Sequence, residues 1–270
     1  MKTNVLDWRR KQSWLRAIPK YASDLLTADV REHLAATRPM CWEDDLSWLP
    51  DPSIVYEFSG RISEFYTHAK AFHGCRPLSV ASYYTHGILG QRSDQIIATF
   101  REVFSDLDSQ DLDAAIAVME HREQTEGGKI WFVGDDKLLI EECGHYMIQG
   151  SEYLMALAAS LYRTGSGNED HRMRLRKFGT PTVLEIDIPF YYIPTEQVIA
   201  VSKMILSAWG QAAAKKYTGF GTDDPCYVIH QNIEPSHIKA HYHPEKITDP
   251  HQGHRTYIVK NPVCDACSQQ

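Results

Sequence analysis

Apolar residues recur along this chain in two rhythms. Ile96, Ile97, Phe100, Val103 and Phe104 keep helical spacing, with Ser93 or Asp94 placed to cap the helix. A second helix is predicted over about 111–123, carrying Ala114, Ala115, Val118 and Met119 and ending at Gly127-Gly128. Ser151 precedes a third, with Tyr153, Leu154, Leu157, Ala158 and Leu161, and Thr195 caps a long helix over 196–217. Between these the period changes. Residues 129–133 read as a strand, Gly134-Asp135-Asp136 as a hairpin turn, and 137–142 as the returning strand. Residues 144–148 form a further short extended piece, 182–188 and 226–230 are clear strands, and 257–259 is weaker. Nearer the start, Asp51-Pro52-Ser53 reads as a break, 62–70 as a helix, and 71–73 as a short strand. Pro77 and Ser79 then open a helix that stops at Gly87. Helices come first and strands follow among helices, without regular βαβ alternation, so the expected class is α+β.

Composition adds bounds. The chain of 270 residues is 43% hydrophobic and 23% charged, ordinary for a globular protein with a full core. It has no run apolar enough to span a bilayer. Residues 1–20 carry Arg9, Arg10, Lys11 and Arg16 among Trp8, Trp14 and Leu15, without the apolar stretch and small residues of a signal peptide. Four of the six cysteines lie among apolar residues, so the thiols are expected reduced and the protein cytoplasmic. A net charge of −7 opposes broad coating of nucleic acid while allowing a local basic groove. The expected organisation is a helical N-terminal extension over 1–50, holding Trp42 and the acidic turn Glu43-Asp44-Asp45, a catalytic domain over 51–260, and a flexible tail over 261–270.

Candidate chemistry begins at Phe72-His73-Gly74-Cys75-Arg76-Pro77, where a strand end meets a helix. An imidazole, a glycine that admits a ligand to the backbone, and a guanidinium suit a ribose and a charged nucleotide. Gly144-His145-Tyr146 follows on a second apolar stretch, then Gly150-Ser151 and a helix rich in small residues. These two motifs, with Gly87-Ile88 after the first helix, resemble the signatures of the diphtheria-toxin-like, PARP-like ADP-ribosyltransferases over roughly residues 70–240. The resemblance implies a split β-sheet core and NAD as substrate. It also implies that His73 holds the ribose and Tyr146 stacks on nicotinamide, with Gly74, Arg76 and Ser151 around the dinucleotide. The family's late-strand glutamate would fall at Cys226, so Glu152, Glu142, Glu234 or Asp224 would have to replace it, or no carboxylate acts. Glu152 is carried as the catalytic candidate. Related branches transfer ADP-ribose to bases of DNA or mRNA, some of them toxins of antiphage toxin–antitoxin systems. Another branch, the tRNA 2′-phosphotransferases, works without the glutamate.

The run His171-Arg172-Met173-Arg174-Leu175-Arg176-Lys177 is the strong positive block. Arg172, Arg174, Arg176 and Lys177 can grip a nucleic-acid backbone, RNA before DNA, or can be a solvated loop after Gly165-Ser166-Gly167. Lys215 and Lys216 would extend the patch. His237, His241, His243, His251 and His254 precede Cys264-Asp265-Ala266-Cys267. A Cys-x-x-Cys pair with two histidines is zinc chemistry, but this spacing matches no familiar finger. The expectation is therefore surface histidines, a loose tail and no metal. Asp135-Asp136 reads as turn chemistry, and Glu141 and Glu142 point to opposite faces of a strand. The expected function is an NAD-dependent transferase with a nucleic-acid acceptor and a neutralising antitoxin as partner. The alternatives are transfer to protein and a non-catalytic module that holds a partner.

Overall fold

The computed structural model describes residues 3–37, 46–119, 127–164, 169–214 and 224–267. The expected sites at Trp42, Glu43-Asp44-Asp45, Gly165-Ser166-Gly167, Lys215 and Lys216 lie outside the described residues. The strands are β1 (Val5–Leu6), β2 (His68–Cys75), β3 (Ile130–Val133), β4 (Thr182–Pro189), β5 (Cys226–Ile229), β6 (Ile238–Tyr242), β7 (Lys246–Asp249) and β8 (Arg255–Ile258). The helices are α1 (Lys11–Ala17), α2 (Pro19–Ala22), α3 (Ala28–Thr37), α4 (Ser53–Phe65), α5 (Ala81–His86), α6 (Ser93–Val103) and α7 (Ser109–Ala117). They continue with α8 (Asp136–Glu141), α9 (His145–Ile148), α10 (Glu152–Thr164) and α11 (Thr195–Ala213). The class is mixed α+β. One sheet runs in the order β5-β3-β2-β4-β6 with β1 parallel to β2, and β7 and β8 form a separate antiparallel pair.

The chain divides into two compact units that are not sequential. One holds residues 1–71, 133–135 and 187–227; the other holds 72–132, 136–186 and 228–270. These bounds differ from the expected division at residues 50 and 260, because strands β2 to β5 each begin in one unit and end in the other.

In the first unit, α4 buries Val55, Phe58, Ser59 and Ile62, the i, i+3, i+4, i+7 stripe of an amphipathic helix, and packs on α11. Asp51 does not break the chain here: its carboxylate accepts from the Ser53 N–H and opens the helix. The N-terminal segment is fixed in this core. Trp8 and Trp14 stack at 5.0 Å, and the Trp14 indole donates to the Trp8 carbonyl. Trp48 stacks on Trp209 at 5.8 Å.

In the second unit, Phe100, Phe104, Leu112, Leu157, Leu161 and Leu175 lie in one core gathered by α6, α7, α10 and the 3₁₀ turn His171–Lys177. Two expectations fail here. The returning strand at 137–142 is the helix α8, and the extended piece at 144–148 is the helix α9. Asp136 is no hairpin residue: it opens α8 and accepts from the Tyr242 hydroxyl at 2.5 Å. Both helices pack on β7, a strand the hydrophobic pattern did not disclose.

Candidate functional site

His73 sits near the C-terminal end of β2, half-buried between buried Phe72 and Gly74. Its Nδ1 lies 2.9 Å from the carbonyl of Trp131, and its ring lies 5.6 Å from that of Phe132. A carbonyl only accepts, so Nδ1 carries the proton and Nε2 presents a lone pair. Burial holds the imidazole below the usual histidine range, which favours this neutral form. The side chain of Trp131 itself is 49% exposed and, as the strand neighbour of Phe132, faces away from the side on which Phe132 meets the histidine.

The glycine and arginine of the motif have structural work. A Cβ on Gly74 would stand 3.3 Å from Leu139 and 3.4 Å from Met147, so this glycine lets α8 and α9 approach the strand. Arg76 donates from Nε to the Phe178 carbonyl at 2.6 Å, from Nη1 to the Met147 carbonyl at 3.0 Å, and from Nη2 to the Arg176 carbonyl. A guanidinium committed to three carbonyls is a clamp on the backbone, and the expected contact with dinucleotide oxygens is corrected accordingly.

Tyr146 lies on α9 and not on a strand. Its hydroxyl donates to Glu152 Oε1 at 3.0 Å, and its ring meets that of His145 at 4.2 Å. His145 is buried, with Nε2 3.7 Å from the same carboxylate oxygen and its ring 4.9 Å from His251. Desolvation first, then His251, lowers the His145 pKa, while Glu152 opposes them. Ser151 Oγ accepts from the Leu154 N–H, so this serine caps α10. Successive residues of a strand face opposite ways, and α9 covers the Gly74 side of β2. His73 meets Trp131 and Phe132, whereas Tyr146 meets His145 and Glu152.

The remaining carboxylates considered for the late-strand position are dispersed. Glu142 and Glu234 are exposed, and Asp224 accepts from the Asp135 N–H at 3.0 Å. Cys226 is an exposed thiol at the start of β5.

The basic block is neither a loop nor a bare cationic face. Asp170 accepts from the Arg172 backbone and takes its Nε and Nη2 at 2.9 Å each. Arg174 meets Asp106 at 2.5 Å and lies 4.9 Å over the Phe104 ring. Arg176 meets buried Asp249 at 2.5 Å. Lys177 is exposed. Three of the four expected phosphate contacts are thus paired with carboxylates of the chain itself, one of them buried.

A different constellation forms at the end of the chain. His241 on β6 and His243 just beyond it are two residues apart, and so share a face of the strand. The Cys264-x-x-Cys267 segment lies against that face. His241 Nε2 is 3.2 Å from Cys267 Sγ and 3.5 Å from Cys264 Sγ, and His243 Nε2 is 3.6 Å from Cys267 Sγ. Cys264 is buried, and Asp265 accepts from Ser79 Oγ and from the Val80 and Ala81 N–H groups. Residues 261–267 are therefore held in place, against the expectation of a loose tail; 268–270 lie outside the described residues.

No protein-family model, curated protein or solved structure matches the chain.

Proposed function

We propose that the chain is an NAD-dependent ADP-ribosyltransferase centred on His73. The observation that carries the reading is the fixed tautomer of that residue, a neutral imidazole at a strand end whose Nε2 can accept from a ribose hydroxyl. Exposed Trp131 offers a flat surface on which an acceptor base can stack, on the face of its strand opposite Phe132. The departing nicotinamide leaves a ribosyl cation. Glu152 is hydrogen-bonded to Tyr146 and apart from the contacts of His73, so the form of the reading proposed here is the one in which no carboxylate takes the place of one at Cys226. RNA is the proposed acceptor, with Lys177 and Trp131 as contacts, while the three paired arginines no longer support that choice. The proposal extends to a toxin held in check by a partner protein in a bacterial cytoplasm.

The test is nicotinamide release from labelled NAD by the full chain with cellular RNA, followed by separate nuclease and protease treatment. His73→Ala should reduce release by about 100-fold or more while the circular-dichroism spectrum is unchanged. Full activity in His73→Ala overturns the site. Label that disappears with protease and survives nuclease moves the acceptor to protein. NAD binding without turnover leaves a non-catalytic module.

A further inference from the structure

We propose that His241, His243, Cys264 and Cys267 form a structural Zn²⁺ site that fastens the C-terminal segment to β6 and to the start of α5. The four ligand atoms all lie within 4.8 Å of one another. Zn–S bonds of about 2.3 Å and Zn–N bonds of about 2.0 Å at tetrahedral angles separate sulfur from nitrogen by about 3.5 Å. The three N···S distances, 3.2, 3.5 and 3.6 Å, cluster about that edge. Hydrogen bonding alone gives no reason for two thiols and two imidazoles to converge with these edges.

The surrounding contacts select the ligand atoms. His243 Nδ1 lies 2.8 Å from the carbonyl of Pro181, which only accepts, so the proton is on Nδ1 and the lone pair is on Nε2. His241 Nδ1 lies 2.8 Å from the Tyr84 hydroxyl, which can accept from it in the same way. Both Nε2 atoms are thus the ones turned toward the sulfurs, the orientation in which outer partners hold metal-ligating histidines. The Cys267 N–H points to Cys264 Sγ at 3.3 Å, a hydrogen bond that supports a thiolate. Two thiolates and two neutral imidazoles neutralise a divalent cation, and binding releases the two thiol protons. Four protein ligands leave no open position, so the role is structural and not catalytic. Asp265, between the two cysteines, carries the fastening on to Ser79, Val80 and Ala81, just beyond the strand end that holds His73.

The site stands independently of the proposed transferase activity. The test is the metal content of the full chain purified without chelator, followed by Co²⁺ titration of the metal-stripped protein. One Zn²⁺ per chain is expected, with Co²⁺ giving the intense ligand-field bands of tetrahedral coordination and a thiolate charge-transfer band. Cys267→Ser should retain some Co²⁺ binding with about half the charge-transfer intensity, and His243→Ala should lose tight binding. Tyr84→Phe removes only an outer partner and should weaken affinity about 10-fold or more. Cys226→Ser, at an exposed thiol elsewhere, should keep full metal content. Reduced, metal-free protein that gives no tetrahedral Co²⁺ spectrum overturns the site, as does a Cys264–Cys267 disulfide that forms in air in protein first reduced and then supplied with one equivalent of Zn²⁺. If a cysteine variant fails to fold, the wild-type Co²⁺ spectrum alone decides the matter.

Discussion

Arg76 and Gly179 show how much of the motif at the end of β2 is devoted to holding the backbone. Gly179 has φ +69, and a Cβ there would stand 2.6 Å from the carbonyls of Arg76 and Pro77. Side chain and glycine thus close the same junction from two directions. Arg76→Ala would leave the carbonyls of Met147, Arg176 and Phe178 without their donor, at a cost on the order of 3 kcal/mol. Urea unfolding measures this; an arginine serving only a ligand would leave the midpoint unchanged. The histidines give a pH dependence. Burial lowers the pKa of both His73 and His145, so the unfolded chain binds protons more readily at these positions. Their contribution to stability is fully present above about pH 6.5, the ordinary imidazole value, and is lost as pH falls through the lowered folded values. A His73→Gln/His145→Gln double variant should show a shallower loss of urea midpoint on acidification. An unchanged slope would mean that neither imidazole resists protonation in the fold. The residue types that could do chemistry were legible in the sequence. What each one donates to was not, because the acceptors of Arg76 lie 71 to 102 residues away.

Among the elements, the 3₁₀ turn His171–Lys177 separates pairings that the sequence could show from those it could not. Asp170 is two residues from Arg172 and caps the same turn, so that pair was open to local reading. Asp106 and Asp249 are 68 and 73 residues from their arginines, and a run of cations read without them looks like a binding face. The pairs differ in burial, which gives a graded prediction. Arg176 and Asp249 side chains are 18% and 3% exposed, so Arg176→Glu should destabilise by about 3–5 kcal/mol. Arg172→Glu and Arg174→Glu face carboxylates 39% and 62% exposed, and solvent screening should leave each well below the effect of Arg176→Glu. Chemical denaturation of the three single variants checks the order; equal effects would contradict it. The same limit of local reading explains α8. Leu138-Leu139-Ile140 is too short a run for periodicity to decide between strand and helix. It becomes a helix where Leu139 is buried and the element packs on β7. The ladder between β6 and β4 was hidden for another reason: β6 carries Lys239 and His241, polar residues that read as surface loop.

At the scale of the whole molecule, the α+β class was readable because the helices and most strands carry their own period. The division into units was not, since each unit is assembled from three separated stretches of chain. The N-terminal fifty residues illustrate the difference. Read alone they are an appendage, whereas in the fold β1 pairs with β2, through Val5 opposite His68 and Leu6 opposite Ala69. Leu6, Trp8, Trp14, Ile18, Leu26, Val30, Leu34 and Trp48 are all buried. At about 1.5–3 kcal/mol for each large side chain, their removal takes away more than 10 kcal/mol of burial. That is comparable with the entire net stability of a typical domain, about 5–15 kcal/mol. It would also expose what these residues cover on α4 and α11, including Trp209 beneath Trp48. A chain shortened to residues 51–270 should therefore lose cooperative thermal unfolding and near-ultraviolet dichroism, and should bind a hydrophobic dye. A true appendage would come away leaving a sharp transition close to that of the full chain. The two outcomes are distinguished by calorimetry on matched samples, each supplied with the same Zn²⁺, so that the metal site does not account for the difference.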